Sequence, residues 1–222
     1  MNKTFKIFNI ILILSILVGD ICYIAFDGLL TKSITSILFV VLGVVNFVYA
    51  SKQKNLNKNF CILMICGLIF AMLGDILLEI EFIVGAALFA IGHMFYFAAY
   101  STLQKFKLRD LLISLCIIIP SILIISLVKL FDFGGLLMQL VCIIYAIIIS
   151  LMVGKSISNL ISKKSTLNIL LVIGSCLFFF SDFMLLFNVF ANISKIFGIL
   201  CLASYYPAEI LLAYSISKST KN

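Results

Sequence analysis

Three acidic residues stand inside strongly apolar runs, each directly after a small residue: Gly19-Asp20, Gly74-Asp75 and Ser181-Asp182. A carboxylate near the centre of a bilayer costs roughly 2.5–3.5 kcal/mol on insertion scales, so it is rare there and usually functional. Such a group can hold a proton, face a substrate or bridge two helices by hydrogen bonds. Glu209 and the single histidine, His93, complete the set. Function has to be sought among these five residues.

The elements that carry them follow from composition. Of 222 residues, 64% are hydrophobic and 11% charged, and mean hydropathy is +1.28. A soluble protein of this length has no interior able to hide so much apolar surface, so lipid must solvate most of it. Eight runs reach or approach the ~20 apolar residues needed to cross the hydrocarbon core. They cover 7–26, 33–50, 60–80, 82–102, 111–129, 136–156, 167–188 and 196–216. The runs are continuously apolar and do not alternate, which excludes a transmembrane β-barrel. The expected fold is all-α: a polytopic bundle of eight transmembrane helices forming one membrane domain over 1–222, with no soluble appendage. The first run lacks a small-x-small cleavage site and is read as a retained helix, not a signal peptide.

The net charge of +7 does not indicate nucleic acid, because the basic residues sit in short loops with no interleaved aromatics. Thirteen of the sixteen fall on one side: Lys3, Lys6, Lys52, Lys54, Lys58, Lys105, Lys107, Arg109, Lys155, Lys163, Lys164, Lys218 and Lys221. Lys32, Lys129 and Lys195 fall on the other. That asymmetry supports the helix count and predicts cytoplasmic termini. The seven cysteines lie in apolar runs without a CxxC pair and read as reduced packing residues. With one histidine and no cysteine cluster, no metal site is expected.

With this orientation Asp20, Asp75 and Asp182 each lie about 8–9 Å from the outer end of an outward helix, and His93 about 16 Å deep. Three carboxyls at one depth could converge on one cavity. A short internal repeat adds weight. Gly67 precedes Asp75, and Gly174 precedes Asp182, by the same interval, and the following helices end in Ala99-Tyr100-Ser101 and Ala213-Tyr214-Ser215. Helices 3–4 and 7–8 thus read as parallel copies of one hairpin. Gly67, Ala71 and Gly74 form a small-residue seam that allows close helix contact and turns Asp75 towards protein. Glu79 and Glu81 read as solvated loop charges. His93, Tyr96 and Tyr100 share one helical stripe. In helix 8, Tyr205 and Tyr206 precede Glu209 at helical spacing, so either hydroxyl could bond its carboxylate, and Pro207 opens the local ladder. The Phe178-Phe179-Phe180 run reads as packing. No Walker loop, GxSxG elbow or HExxH is present.

Taken together, these residues resemble the YhhN-type family, the lysoplasmalogenases. The resemblance rests on Gly74-Asp75, Gly92-His93 with Tyr96, Ser181-Asp182, and Tyr206 with Ala208, and it covers about residues 10–215. One departure stands out: the family pattern has Gln after that Ala, and here the residue is Glu209. The resemblance implies a membrane hydrolase that cleaves the vinyl ether of a lysoplasmalogen to a fatty aldehyde and a glycerophospho-alcohol. Asp75 and Asp182 would be the catalytic pair, with Asp20, His93, Tyr96, Tyr205, Tyr206 and Glu209 lining the substrate site. Protonating a vinyl ether carbon gives an oxocarbenium ion that water then attacks, so paired carboxyls suit the step as they do in glycosidases. No cofactor or metal is implied, and the partner is a lyso-lipid drawn from the surrounding membrane lipids. The Ile-, Lys- and Asn-rich composition points to an AT-rich genome, hence to a bacterial cell membrane.

The alternative is a proton-coupled small transporter or lipid-binding protein that uses the same acids as a relay. Repeat-type transporters break helices with Gly or Pro at matching places in both halves. Here only helix 8 has a proline near the polar cluster, which favours the enzyme.

Overall fold

The computed structural model describes residues 3–191 and 193–219. Lys221, one of the charges on the basic side, lies outside them. Eight helices follow in order: α1 Lys3–Phe26, α2 Leu29–Ser51, α3 Lys58–Leu78, α4 Phe82–Leu103, α5 Leu108–Leu127, α6 Leu136–Ser162, α7 Thr166–Phe190 and α8 Ile196–Ser215. All eight are long and apolar enough to span a membrane. The all-helical fold read from hydropathy is the fold observed, and it fits an integral membrane protein.

The outer surface is apolar, unlike that of a soluble protein. On α1, Ile10, Leu14, Val18 and Ile21 are exposed at helical spacing, the stripe expected of a lipid-facing side. Inside the bundle lie Ser36, Asn46, Asp75, His93 and Glu209, all buried. With lipid outside there is little hydrophobic drive for helices to associate, so close packing and polar contacts must do it. The α3–α4 pair shows how. A Cβ on Gly67 would land inside the Tyr96 ring, and one on Gly74 would meet Phe89 at 2.9 Å. The α7–α8 pair uses a hydrogen bond at the matching place, where Ser181 Oγ donates to the Cys201 carbonyl at 2.9 Å. Around these hairpins, α2 packs on α1, α3 and α8, while α6 packs on α4, α5 and α7.

Several helix limits differ from the hydropathy reading, and two of them bear on a lysine. Asp27 (φ 51°) and Gly28 (φ 135°) make a tight turn in left-handed backbone, which glycine tolerates and most residues do not. It starts α2 at Leu29 and draws Lys32 into the bundle, 4% exposed. At the other end of the molecule α6 continues to Ser162, so Lys155 is also buried. Its ammonium bonds Asp110 at 2.7 Å and the Lys105 carbonyl at 3.2 Å, fastening α6 to the start of α5. Neither lysine is a solvated loop charge. A hydropathy window stops at a lysine because it cannot see the carboxylate waiting for it.

Candidate active site

Asp75 sits three residues from the end of α3, about 5 Å at the helical rise, whereas Asp182 is eight residues, about 12 Å, from the end of α7. The two residues thus stand at different distances from their helix ends, yet both line one cavity.

Every hydrogen-bond and ion-pair partner of Asp75 is a donor. Lys32 Nζ lies 3.2 Å from its Oδ1. The Ser36 hydroxyl donates to Oδ2, and the Tyr206 hydroxyl donates to the same oxygen at 3.0 Å. Lys32 and Ser36 are four residues apart on α2, so one helical face delivers both. Lys32 also donates to Glu79 Oε1 at 2.6 Å, and the Tyr23 hydroxyl donates to that oxygen at 2.7 Å. The Tyr23 ring centre is 5.3 Å from Nζ, within cation–π range. A buried ammonium is costly unless paired and fully hydrogen-bonded; here two carboxylates and a ring surround it. Glu79, just beyond α3, is half out of the protein. Burial alone would raise its pKa, but the hydrogen bond and charge of Lys32, with Tyr23, hold the carboxyl below its usual range. Glu79 is therefore part of the site and not the solvated loop charge it was read to be.

The hydrogen-bond and close-contact partners of Asp182 are aromatic. The Tyr145 hydroxyl, from α6, donates to its Oδ2 at 2.7 Å. His93 Nε2 is 2.8 Å from the Tyr145 oxygen and 3.4 Å from the same Oδ2. A phenol has one hydrogen, and Tyr145 spends it on Asp182, so the imidazole must donate to Tyr145 through Nε2–H. The order is His93 to Tyr145 to Asp182. Nδ1 of His93 is buried without a partner, which suits the unprotonated nitrogen of that tautomer. The Phe178 ring stands edge-on to the imidazole with centroids 4.6 Å apart. Phe178 is thus a wall of the histidine's cage, more than the anonymous packing its run suggested.

Asp75 and Asp182 both line one cavity of about 120 Å³, shared with Lys32, Tyr23, Glu79 and Tyr205. Asp182's side chain is 13% exposed and that of Asp75 is 4%. The other sequence-predicted residues divide. Tyr206 touches Asp75, and His93 reaches Asp182 from behind Tyr145. Tyr205 lines the cavity, its hydroxyl 3.4 Å from the Ala71 carbonyl. Asp20 is buried, with one oxygen unpartnered, but it is not part of the cavity wall. Glu209 is fully buried, and its partner is neither Tyr205 nor Tyr206: Tyr96, on α4, donates to it at 2.8 Å. Tyr96 and Glu209 therefore stand behind the cavity, tying α4 to α8.

Lys32, Ser36, Tyr23 and Tyr145 escaped the sequence reading. For the first two a signal existed, since Asp27-Gly28 marks a turn that would start a helix early enough to include Lys32. Tyr145 lies alone in an aliphatic run, and nothing local marks it. Among the described residues no group of three or more His, Cys, Asp and Glu is placed to hold a metal.

Fold and site define a polytopic membrane protein with a carboxylate-lined interior cavity. The chain belongs to the YhhN family, the lysoplasmalogenase family, whose family model matches residues 28–216. That match includes Lys32 and both aspartates of the cavity and begins after α1. No curated protein and no solved structure matches the chain.

Proposed function

We propose that this protein hydrolyses the vinyl ether bond of lysoplasmalogen-like lyso-lipids by carboxylic acid–base catalysis. The observation that carries the reading is that Asp75 and Asp182 line one small cavity, with Lys32 and Glu79 among its walls, inside a lipid-solvated bundle. Family membership supports the same class of substrate.

Asp182, with a single phenolic donor and a partly open side chain, is assigned as the acid. Its proton goes to the β-carbon of the vinyl ether; the C=C electron pair forms the new C–H bond, and an ether oxygen lone pair completes the oxocarbenium ion. Asp75, which accepts hydrogen bonds from Ser36 and Tyr206 beside Lys32, is assigned as the fixed negative charge facing that cation. Glu79 balances Lys32, so the ammonium does not cancel Asp75. Water then attacks the oxocarbenium carbon, and its proton returns to the Asp182 carboxylate. Collapse of the hemiacetal breaks the carbon–oxygen bond; the departing alkoxide takes up a proton, and the hemiacetal hydroxyl loses one. The products are an aldehyde and a glycerophospho-alcohol. Paired carboxyls divide the work in this way in glycosidases.

The deciding experiment is aldehyde release by purified protein from a lysoplasmalogen, with a diacyl phospholipid as control. Aldehyde from the first and none from the second is expected, with loss of turnover in Asp182→Asn. Proton-coupled uptake without aldehyde release would replace the enzyme by a transporter.

A further inference from the structure

Asp182 borders a second space. Between α5, α6 and α7 runs a crevice of about 80 Å³ whose walls include Ile125, Cys142, Ala146, Ile149, Phe179 and Phe183. Its only polar members are Asp182, Tyr145 and Ser121. Ser121 is spent on the Ile117 carbonyl of its own helix at 2.8 Å, and Tyr145 is spent on Asp182. Asp182 is thus the one polar group the crevice can offer a ligand. The wall residues recur at three- and four-residue intervals on α6 and α7, so the crevice follows the helix axes. It is an apolar slot that reaches the polar cavity only at Asp182 and Leu185, which belong to both walls.

We infer that this crevice is the hydrocarbon-chain subsite and takes the part of a lyso-lipid's single chain next to the ether, while the glycerol side of the ether lies towards the cavity of Lys32, Asp75 and Glu79. The inference rests on the vinyl-ether reading above and adds the substrate's orientation to it. The polarity of the two spaces leaves one way round: a head group would lose its hydration in the crevice without finding hydrogen bonds, which is costly. The bond to be cleaved joins the two parts of such a lipid. Its ether oxygen belongs to the head side, and the carbon to be protonated belongs to the chain side. A molecule lying across Asp182 therefore presents the chain-side carbon to the acid.

The test uses the full-length protein in detergent, with Ala146→Phe and the milder Cys142→Leu narrowing the crevice. Substrates are a long-chain alkenyl lyso-lipid and its butenyl counterpart with the same head group. Both variants should raise KM for the long chain, Ala146→Phe by about tenfold or more, with much less change for the butenyl compound. Equal effects on both substrates, in variants that elute like the parent on gel filtration, would overturn the assignment. A second readout does not depend on turnover. A non-hydrolysable alkyl-ether lyso-lipid with a diazirine near its chain end should label peptides of α5, α6 and α7, and Ala146→Phe should abolish that labelling. Labelling confined to the crevice in a protein that releases no aldehyde would remove the enzymatic reading and keep the chain subsite. Labelling unaffected by Ala146→Phe would remove the chain subsite even from an active enzyme.

Discussion

Asp75 and Asp182 look alike in sequence and are not alike in the fold. Each follows a small residue on a helix running the same way, and each belongs to a tight hairpin. The helix that closes over each one differs. α2 brings an ammonium and a serine to Asp75, so its surroundings form a net of donors with a charge at the centre. α6 brings Tyr145 to Asp182, and α4 brings His93 beside it, so its partners are aromatic rings, with the Tyr145 hydroxyl as donor. Two carboxyls in one cavity do different work only if their environments separate them. A local repeat placed the two acids; the non-repeated helices α2 and α6 gave them different neighbours.

The largest expected effects come from removing either acid. Asp182→Asn keeps size and polarity but has no acidic proton, and loss of a general acid costs about 10²–10⁴-fold. Turnover should fall by at least that much in a protein that still inserts and elutes as the parent does. Asp75→Asn should also be inactive, and its residual rate should be no lower than that of Asp182→Asn. The reverse order, measured as single-turnover aldehyde release, would exchange the two roles.

Lys32 sharpens the comparison next. Lys32→Met leaves the buried Asp75 and the half-exposed Glu79 without their shared cation, and breaking a buried pair such as Lys32 with Asp75 costs about 3–5 kcal/mol. The thermal midpoint in detergent should fall clearly, with activity lost. Lys32→Met added to Asp75→Asn should cost much less than Lys32→Met alone, because the two residues are in contact. Additive losses would show that Lys32 does not act through Asp75.

The sequence made one side of this comparison legible and hid most of the other. Helix number and the two cavity aspartates followed from runs of apolar residues interrupted by acid, a pattern tied to the cost of charge in lipid. Lys32 was hidden because hydropathy treats any lysine at the edge of a run as an interfacial anchor. Its burial depends on Asp75 and Glu79, 43 and 47 residues on. Tyr145 was hidden because a single phenol in an aliphatic helix has no local signature, and its role exists only where α6 meets α7. The partner of Glu209 was misread for a related reason. Spacing along α8 favoured Tyr205 and Tyr206, but hydroxyls on the same helix compete with others across the interface, and Tyr96 on α4 makes the bond.

A smaller effect is expected from the neutral donors. Tyr145→Phe removes the one hydrogen bond Asp182 receives from a hydroxyl and leaves His93 Nε2–H without its acceptor. A hydrogen bond to a charged group is worth about 1.5–3 kcal/mol, so a loss of about ten- to a hundredfold in kcat is expected, with little change in KM. His93→Gln keeps a side-chain donor and should cost less. Because these residues orient the acid and do not touch the reacting bond in the proposed arrangement, KM for the lyso-lipid is the telling control: a large rise in KM with kcat kept would show that Tyr145 and His93 bind the substrate instead.

The smallest change expected is Glu209→Gln. Glu209 is completely buried, no cation lies among its hydrogen-bond or ion-pair partners, and the phenol of Tyr96 is its one donor. An amide oxygen accepts that bond as well as a carboxyl does. Glutamine also removes the cost of ever ionising a buried acid, which is large where nothing compensates it. Activity should stay within about threefold of the parent, since a hydrogen bond kept in place contributes nearly nothing to the difference, and the thermal midpoint should hold or rise. Tyr96→Phe is the counterpart that leaves the carboxyl without its donor, and it should lower that midpoint. If Glu209→Gln were inactive while Asp182→Asn retained turnover, the proton would come from α8, and the contrast between Asp75 and Asp182 would describe the packing of the bundle and not its chemistry.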